Sequence, residues 1–281
     1  MDINHARTFL AIVAHGSFVK AAAHLHVTQS TISARMHSLE AELGAALFVR
    51  NRAGAQLTAA GRRFVRHAKA LILTADQARE DVGLPGSYRA TVRVGARIAL
   101  WDDLLPRWVA WLRKQASDVA IRGEIGFEER LMSRLVEGTL DIGIMYTPRH
   151  QPGLVVEQLF DDTLVLVGTT ADARAEKDDY IFVDWSPGFA AIHRERCPAL
   201  ENPPQSVNIG WLGLQIILAR GGSCFLPARM ARPLLERGLL HRVPDSPEIS
   251  HPAYIVHARD ASSDAVALAV DGLRRLAREG V

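Results

Sequence analysis

Apolar positions in the first 45 residues recur at helical spacing in three segments, and turn-forming residues separate these segments. Ser17 and Thr28 are suitable N-caps for the second and third segments. Gly16 and Gly44 are positioned to end the first and third. The predicted helices cover residues 3–15, 18–25 and 29–43. Two short helices with a tight turn between them, preceded by a third helix, are the layout of a helix-turn-helix.

The third predicted helix has two distinct faces. Ile32, Met36, Leu39 and Leu43 are spaced by 4, 3 and 4 residues, so they form an apolar stripe that is suited to a core. The opposite face is unusually small and neutral for a solvated helix; its residues are Ser30, Ser33, Ala34, His37 and Ser38.

Two strand-like runs, ALFVR and AQLT, follow Gly44. The sequence Asn51-Arg52-Ala53-Gly54 between them has the composition of a hairpin loop with a basic tip. The N-terminal segment therefore reads as a winged helix-turn-helix.

A long helix is predicted from the N-cap Thr58 to about residue 81. Small and apolar residues recur along it at alternating spacings of three and four, at Gly61, Phe64, Ala68, Leu71, Ala75, Ala78 and Val82. Such a seam predicts a coiled-coil-like contact with a second copy of the chain, hence a homodimer. The alternative is that the helix packs on its own domain.

Strands and helices alternate from Arg89 onward, which predicts an α/β unit with a largely parallel sheet. About 190 residues fit two small lobes with a cleft between them. The strand-like runs are TVRVGA, VAIRGEI, LDIGIMY, TLVLVG, YIFVDW, SVNI and PAYIVHA, and the helical stretches cover about 101–115, 128–137, 211–219 and 264–279.

Charge is distributed unevenly along the 281 residues. Residues 1–69 carry nine Lys and Arg against three Asp and Glu, a net of +6, and the remainder has a net of −4. A basic end on a slightly acidic body is typical of a nucleic-acid-binding module joined to another domain, although a chance cluster of surface charges would look the same.

Nothing in the sequence indicates secretion or a membrane partner. The longest apolar run, WLGLQIILA, is far shorter than the roughly 20 residues that span a bilayer. The N-terminus lacks a signal-peptide pattern, and two cysteines do not make a disulfide framework. We therefore expect a cytoplasmic protein.

With these motifs in order, the chain resembles the LysR-type transcriptional regulators. The N-terminal motifs are SFVKAA, TQSTIS, LEAELG, LFVR and LTAAG, and looser ones are LLPRW, EGTLDIGIMY and ARGGSCFLP. The runs ALWDDLLPRWVAWL and VDWSPGF resemble the subset related to repressors of flagellar master-operon transcription.

The resemblance implies a dimer or tetramer that binds double-stranded promoter DNA, with RNA polymerase as a further partner. It also implies an effector domain folded like periplasmic binding proteins, with a small molecule between its lobes and no cofactor. The expected divisions are a winged helix-turn-helix at 1–58, a linker helix at 59–88, effector lobe I at 89–163 and 258–281, and lobe II at 164–257.

A recognition helix lies in the major groove, where small outward side chains let it approach the bases. Gln29 can pair with adenine, and serine can meet a base edge or a phosphate; the resemblance gives the same roles to Gln29, Ser30 and Ser33. Ala34 departs from the family, which often has a longer polar residue there. The expected DNA-binding residues are Thr28, Gln29, Ser30, Ser33, Arg35, Arg50, Arg52 and Thr58. Caps and solvated surface charges are the plainer interpretation.

Ligands of such folds sit at the carboxyl ends of strands. The family usually has a Ser or Thr hydroxyl after the first strand, where this chain has Ala99-Leu100, so anion binding would fall to Arg97. The expected effector-binding residues are Arg97, Ala99, Leu100, Trp101, Phe127, Glu128, Tyr146, Asp184, Trp185 and Phe189. The aromatics fit an apolar effector, and they equally fit a filled cleft that binds nothing.

Other chemistry has weaker signals. Ser17-x-x-Lys20 matches one element of serine β-lactamases, but its companion motifs are missing. His24 with His26, or His193 with Cys197, gives too few ligands for a metal. Cys197 and Cys224 lack convincing activation for redox sensing. The remaining alternative to a regulator is a binding or enzymatic α/β domain whose N-terminal module serves assembly, but such a module needs no basic wing.

Overall fold

The chain divides into two compact units, Met1–Pro85 and Gly86–Val281. The computed structural model describes residues 2–51, 54–172, 175–259 and 263–280. The elements of the first unit are α1 (Ile3–His15), α2 (Phe18–His24), α3 (Gln29–Leu43), β1 (Phe48–Asn51), β2 (Gly54–Leu57) and α4 (Ala59–Val82).

Local capping explains where these helices begin and end. The Ser17 side chain accepts a hydrogen bond from the Lys20 N–H at the start of α2, and Thr28 accepts one from the Thr31 N–H at the start of α3. Gly16 (φ 63°) adopts the left-handed conformation that ends α1. The predicted helix-turn-helix is confirmed.

An aromatic core joins the helices to the hairpin. The Phe9 ring lies 5.2 Å from that of Phe48 and 5.0 Å from that of Phe64. Glu40 Oε1 accepts hydrogen bonds from the N–H groups of Leu47 and Phe48, at 2.7 and 3.2 Å, so the end of α3 holds the start of β1.

The seam of the long helix is buried in its first half and exposed to solvent at its far end. Gly61, Phe64 and Ala68 are buried inside the first unit, and a Cβ at Gly61 would collide with the Leu47 carbonyl oxygen. Val82 is 88% exposed. The first half of the seam therefore packs on its own module, which was the alternative, and the prediction of a single seam facing another copy is wrong for that half.

The second unit alternates strands and helices. Its strands are β3 (Ala90–Ala96), β4 (Val119–Ile125), β5 (Ile142–Met145), β6 (Leu154–Gly168), β7 (Tyr180–Val183), β8 (Gln205–Val207), β9 (Ser223–Pro227), β10 (His241–Arg242) and β11 (Ile249–Ala258). Its helices are α5 (Leu104–Gln115), α6 (Glu128–Val136), α7 (Pro187–Arg196), α8 (Gly210–Arg220), α9 (Ala228–Glu236) and α10 (Asp264–Arg278), with a 3-10 turn at Ile98–Trp101. Among the described residues, no helix is long and apolar enough to cross a bilayer.

In the described ranges these strands form one sheet in the order β4-β3-β5-β11-β6-β9-β7-β8, and β10 pairs with β6. The pairs among β4, β3 and β5 and among β9, β7 and β8 are parallel. The long strands β6 and β11 pair antiparallel with each other and with their other neighbours. The expectation of a largely parallel sheet is therefore wrong at the centre.

A buried polar cluster lies where these strands meet. Arg229 Nη2, from α9, lies 2.9 Å from Asp162 Oδ2 in β6, and the Tyr146 hydroxyl donates to the same oxygen at 3.0 Å. The His251 ring, in β11, packs on the Tyr146 ring with centroids 4.2 Å apart. Burial, and secondarily the positive charge of Arg97, lowers the pKa of His251 to about 4.

Truncating the buried Phe64 side chain should destabilise the first unit far more than truncating the exposed Val82 side chain at the other end of the seam. We expect Phe64→Ala to lower its free energy of unfolding by about 3–5 kcal/mol, because it deletes a core aromatic. The control Val82→Ala should change it by less than about 0.5 kcal/mol at this exposed site. Urea unfolding followed by circular dichroism measures both, and equal losses would contradict the division of the seam.

Acid should destabilise the second unit through His251. Its folded pKa of about 4 lies below the ordinary value near 6.5, so the unfolded chain binds more protons between these limits. Stability should fall as the pH drops through this window, by about 3 kcal/mol for this residue. The pH dependence of unfolding should be shallower in His251→Gln, and parallel curves for the two proteins would refute the assignment.

Candidate DNA interface and ligand cleft

The two faces of α3 are separated as its sequence predicted, except that Leu43, expected in the core stripe, is 40% exposed. Ile32, Met36 and Leu39 are buried in the core of the first unit. The exposed residues of the opposite side are Gln29, Ser30, Ala34, His37 and Ser38. This face presents a surface of short side chains with one longer amide at its N-terminal end.

Hydroxyl groups cluster at the N-terminus of α3. Thr28 Oγ1 lies 2.8 Å from Ser30 Oγ and 2.8 Å from Thr31 Oγ1. Thr31 was not among the expected site residues, although the run of hydroxyl residues in TQST is the signal that would have found it. The exposed Gln29 amide makes no hydrogen bond to any described residue, so both its donor and its acceptor are available.

Two expected DNA contacts on α3 are less exposed. Ser33 is half-buried. Arg35 is also half-buried, and its Nη1 donates to Thr8 Oγ1 of α1 at 3.4 Å. That contact takes up a donor that we expected at a phosphate.

The strands of the wing are present, and their basic residues are only partly described. Arg50 lies in β1, opposite Ala55 of β2 in an antiparallel pair. Arg52 falls outside the described residues, as does the tip of the expected loop.

Thr58 has its donors engaged within the module. Its hydroxyl donates to the Ala46 carbonyl at 2.7 Å and accepts from the Gly61 N–H at 2.9 Å. Its own N–H donates to the Leu47 carbonyl at 3.0 Å. The expectation that Thr58 offers its hydroxyl or N–H to a phosphate is therefore corrected, because both groups already bind the segment before β1.

In the second unit, Arg97 follows β3 and is only 7% exposed. Its guanidinium lies 3.4 Å from Glu128 Oε2 and 4.5 Å above the Phe127 ring. It also donates to the Asn208 carbonyl, at 3.4 Å. An anion bound at Arg97 would therefore compete with Glu128, a carboxylate of the chain that already pairs with this arginine.

Most of the other expected effector-binding residues are packed into the core of the second unit. Ala99, Leu100, Tyr146, Trp185 and Phe189 are buried. Trp185 Nε1 donates to the Phe225 carbonyl at 3.0 Å, while the Phe189 ring packs against those of Phe225 and His193. Asp184 is exposed. The interior that we expected to hold a ligand is thus largely occupied by the chain itself.

An open pocket of about 300 Å³ remains beside this filled interior. It is lined by Ile98, Trp101, Asp102, Trp211 and Met230. Ile98 and Trp101 both belong to the segment after the first strand of this unit, where a ligand was expected. Asp102 follows the 3-10 turn, Trp211 comes from α8 and Met230 comes from α9. The sequence did not reveal that α8 and α9 pack next to this turn. A tryptophan at the start of an apolar helix was the available signal.

A larger depression of about 540 Å³ lies along α10. It is lined by charged residues of that one helix, and Arg274 and Arg275 are paired with Glu157 and Glu279. Its position on a solvated helix face makes the smaller pocket the better ligand candidate.

The remaining candidate chemistry has structural explanations. Burial raises the pKa of the Cys197 and Cys224 thiols, which disfavours the reactive thiolate. Ser17 caps α2. Within the described part of the chain, no group of three or more His, Cys, Asp or Glu side chains is placed to hold a metal ion.

Comparison with known proteins assigns both units. A family model described as "Bacterial regulatory helix-turn-helix protein, lysR family" matches residues 3–62, and one described as "LysR substrate binding domain" matches residues 85–278. The chain is 29% identical over 270 residues to the HTH-type transcriptional regulator HdfR of Escherichia coli O17:K52:H18, covering 95% of both chains. The HdfR of Salmonella newport is 29% identical over 277 residues, with 98% of both covered.

The solved structure of CbnR, a LysR family transcriptional regulator, aligns with a TM-score of 0.72 at 19% identity and covers 99% of both chains. Full-length CbnR complexed with its target DNA also gives 0.72, with 98% of this chain and 100% of that one covered. These likenesses concern the fold, and they agree with a helix-turn-helix joined to a two-lobed α/β domain. Since the two family models together span nearly the whole sequence, the chain belongs to the LysR family of bacterial transcriptional regulators.

Proposed function

We propose that the protein binds promoter DNA sequence-specifically as a homodimer or homotetramer, and that a small molecule between two lobes of the second unit controls this binding. The observation that carries the DNA role is the outward face of α3. It combines short exposed side chains with an unpartnered Gln29 amide at the end that enters a major groove first.

In this proposal, the first two turns of α3 read the bases. Gln29 pairs with adenine, Ser30 and Ser33 meet base edges or phosphates, and the Ala34 methyl contacts thymine. Arg50 and Arg52 of the wing approach the backbone or the minor groove. Thr28 holds the helix terminus, where backbone N–H groups favour a phosphate.

The free part of α4 supports the dimer. Ala78 and Val82 are exposed after the module ends, so the second half of the seam is available to a partner chain. Two recognition helices would then reach half-sites about 10 base pairs apart or a multiple of that.

The proposal extends to the division of the second unit and to the cellular setting. We propose lobe I at 89–163 with 258–281 and lobe II at 164–257, a cytoplasmic location, and RNA polymerase as a further partner. A regulatory rather than enzymatic role is supported by relatives that are transcriptional regulators.

Replacing Gln29 should remove sequence preference more than general affinity. We expect Gln29→Ala to weaken binding to a preferred duplex, enriched from random DNA by this protein, at least about tenfold, because a bidentate base contact contributes about 1–3 kcal/mol. Binding to an unrelated duplex should barely change. Fluorescence anisotropy measures both affinities. Gln151→Ala, on the exposed surface of the second unit, is the control. Equal losses of affinity for the two duplexes would contradict the base-reading role of Gln29.

The basic residues at the start of α4 should strengthen DNA binding independently of the DNA sequence. Arg63 and Arg66 are exposed, so the double variant Arg63→Ala, Arg66→Ala should bind preferred and unrelated duplexes more weakly by similar factors. The slope of log affinity against log salt should become shallower by about 0.9 for each phosphate that the variant no longer neutralises. The exposed Arg237→Ala is the control, and a loss restricted to the preferred duplex would contradict the assignment.

A further inference from the structure

We propose that the pocket formed by Ile98, Trp101, Asp102, Trp211 and Met230 takes a small aromatic ammonium compound and discriminates against carboxylates. This inference rests on the proposed effector role of the cleft, and it names the chemical class of the effector.

The two buried arginines in this part of the unit are both paired with carboxylates of the chain. Arg97 is paired with Glu128, and Arg229 is paired with Asp162, which leaves each arginine only 7% exposed. A ligand carboxylate would have to displace one of these chain carboxylates. The displaced group would then be left buried and unpaired, at a large cost.

The side chains of Ala99 and Leu100, in the turn after β3, offer no alternative anchor for an anion. Ala99 and Leu100 are 2% and 0% exposed, and neither side chain carries a hydrogen-bond donor. One of the two indole donors of the pocket is also engaged, because Trp101 Nε1 donates to the Glu124 carbonyl at 3.2 Å.

The walls of the pocket are suited to an aromatic ring. Ile98, Met230 and two indoles supply most of the lining of a cavity of about 300 Å³. Trp211 is 49% exposed, an unusual state for the largest apolar side chain. A ring placed in this pocket would bury part of that surface and gain the stacking that aromatic pairs provide.

Asp102 gives the pocket a negative charge. It is the charged member of the lining, and among the described residues it forms no ion pair. Its neighbour Asp103 lies 3.7 Å from Arg107. A carboxylate next to two indoles is the combination that attracts an organic cation, through ion pairing and cation–π attraction.

The test compares three ligands of matched shape on the full-length protein by isothermal titration calorimetry at pH 7. Phenethylamine is cationic, phenethyl alcohol is neutral and phenylacetate is anionic. We expect phenethylamine to bind about fivefold more tightly than the alcohol, which corresponds to about 1 kcal/mol of cation–π and ionic attraction, and phenylacetate to bind most weakly.

Variants assign the effect to the pocket. Asp102→Asn should reduce the difference between phenethylamine and phenethyl alcohol by removing the ionic part and leaving the cation–π part, whereas the matched control Asp103→Asn should retain the full difference. Trp211→Ala should weaken both ligands at least about threefold, through loss of the ring contact. Tightest binding by phenylacetate, an unchanged preference in Asp102→Asn, or binding of none of the three compounds would each overturn the inference.

DNA binding by the same preparations separates this inference from the proposed function. If none of the compounds binds while the preferred duplex is still selected over an unrelated one, the ligand class is wrong and the DNA role stands. If phenethylamine binds with the expected preference but leaves DNA affinity unchanged, the ligand class stands and control by this pocket fails.

Discussion

The buried ion pair between Arg229 and Asp162 is a constraint that the fold of the second unit must satisfy, because neither charge can stay buried without the other. Asp162 lies in β6, the long strand that pairs with both β11 and β9, and Arg229 comes from α9. Tyr146, just after β5, donates to the same carboxylate. Three distant segments thus converge on one oxygen, and losing either charge would leave its partner uncompensated, at about 3–5 kcal/mol.

A second buried arginine, Arg97 at the cleft, is also paired with a carboxylate of the chain. Arg97 would be costly to bury alone, and Glu128 together with the Phe127 ring compensates it. Because both buried arginines are paired with carboxylates of the chain, their charges are compensated before any ligand arrives. What remains open to solvent beside them is an aromatic pocket with one acidic side chain.

Local signals allowed much of the first unit to be predicted. Caps at Ser17 and Thr28 and the spacing of Ile32, Met36 and Leu39 are properties of neighbouring residues, and the structure has them as expected. The pairing of Arg97 with Glu128 depends on segments about thirty residues apart that only the folded sheet brings together. For the same reason the antiparallel pairing of β6 with β11 and the position of Trp211 could not be read from periodicity.

The seam of α4 shows how one pattern can serve two purposes. Spacings of three and four describe any apolar stripe on a helix, and they do not say which surface covers it. Here Gly61, Phe64 and Ala68 are clamped against the module, and Val82 is free. The first three turns therefore cannot bend without opening the core around Phe9. In the proposed dimer, a signal that altered the distance between the two DNA-binding modules would be absorbed beyond Leu71, and each module would move together with the start of its own linker helix.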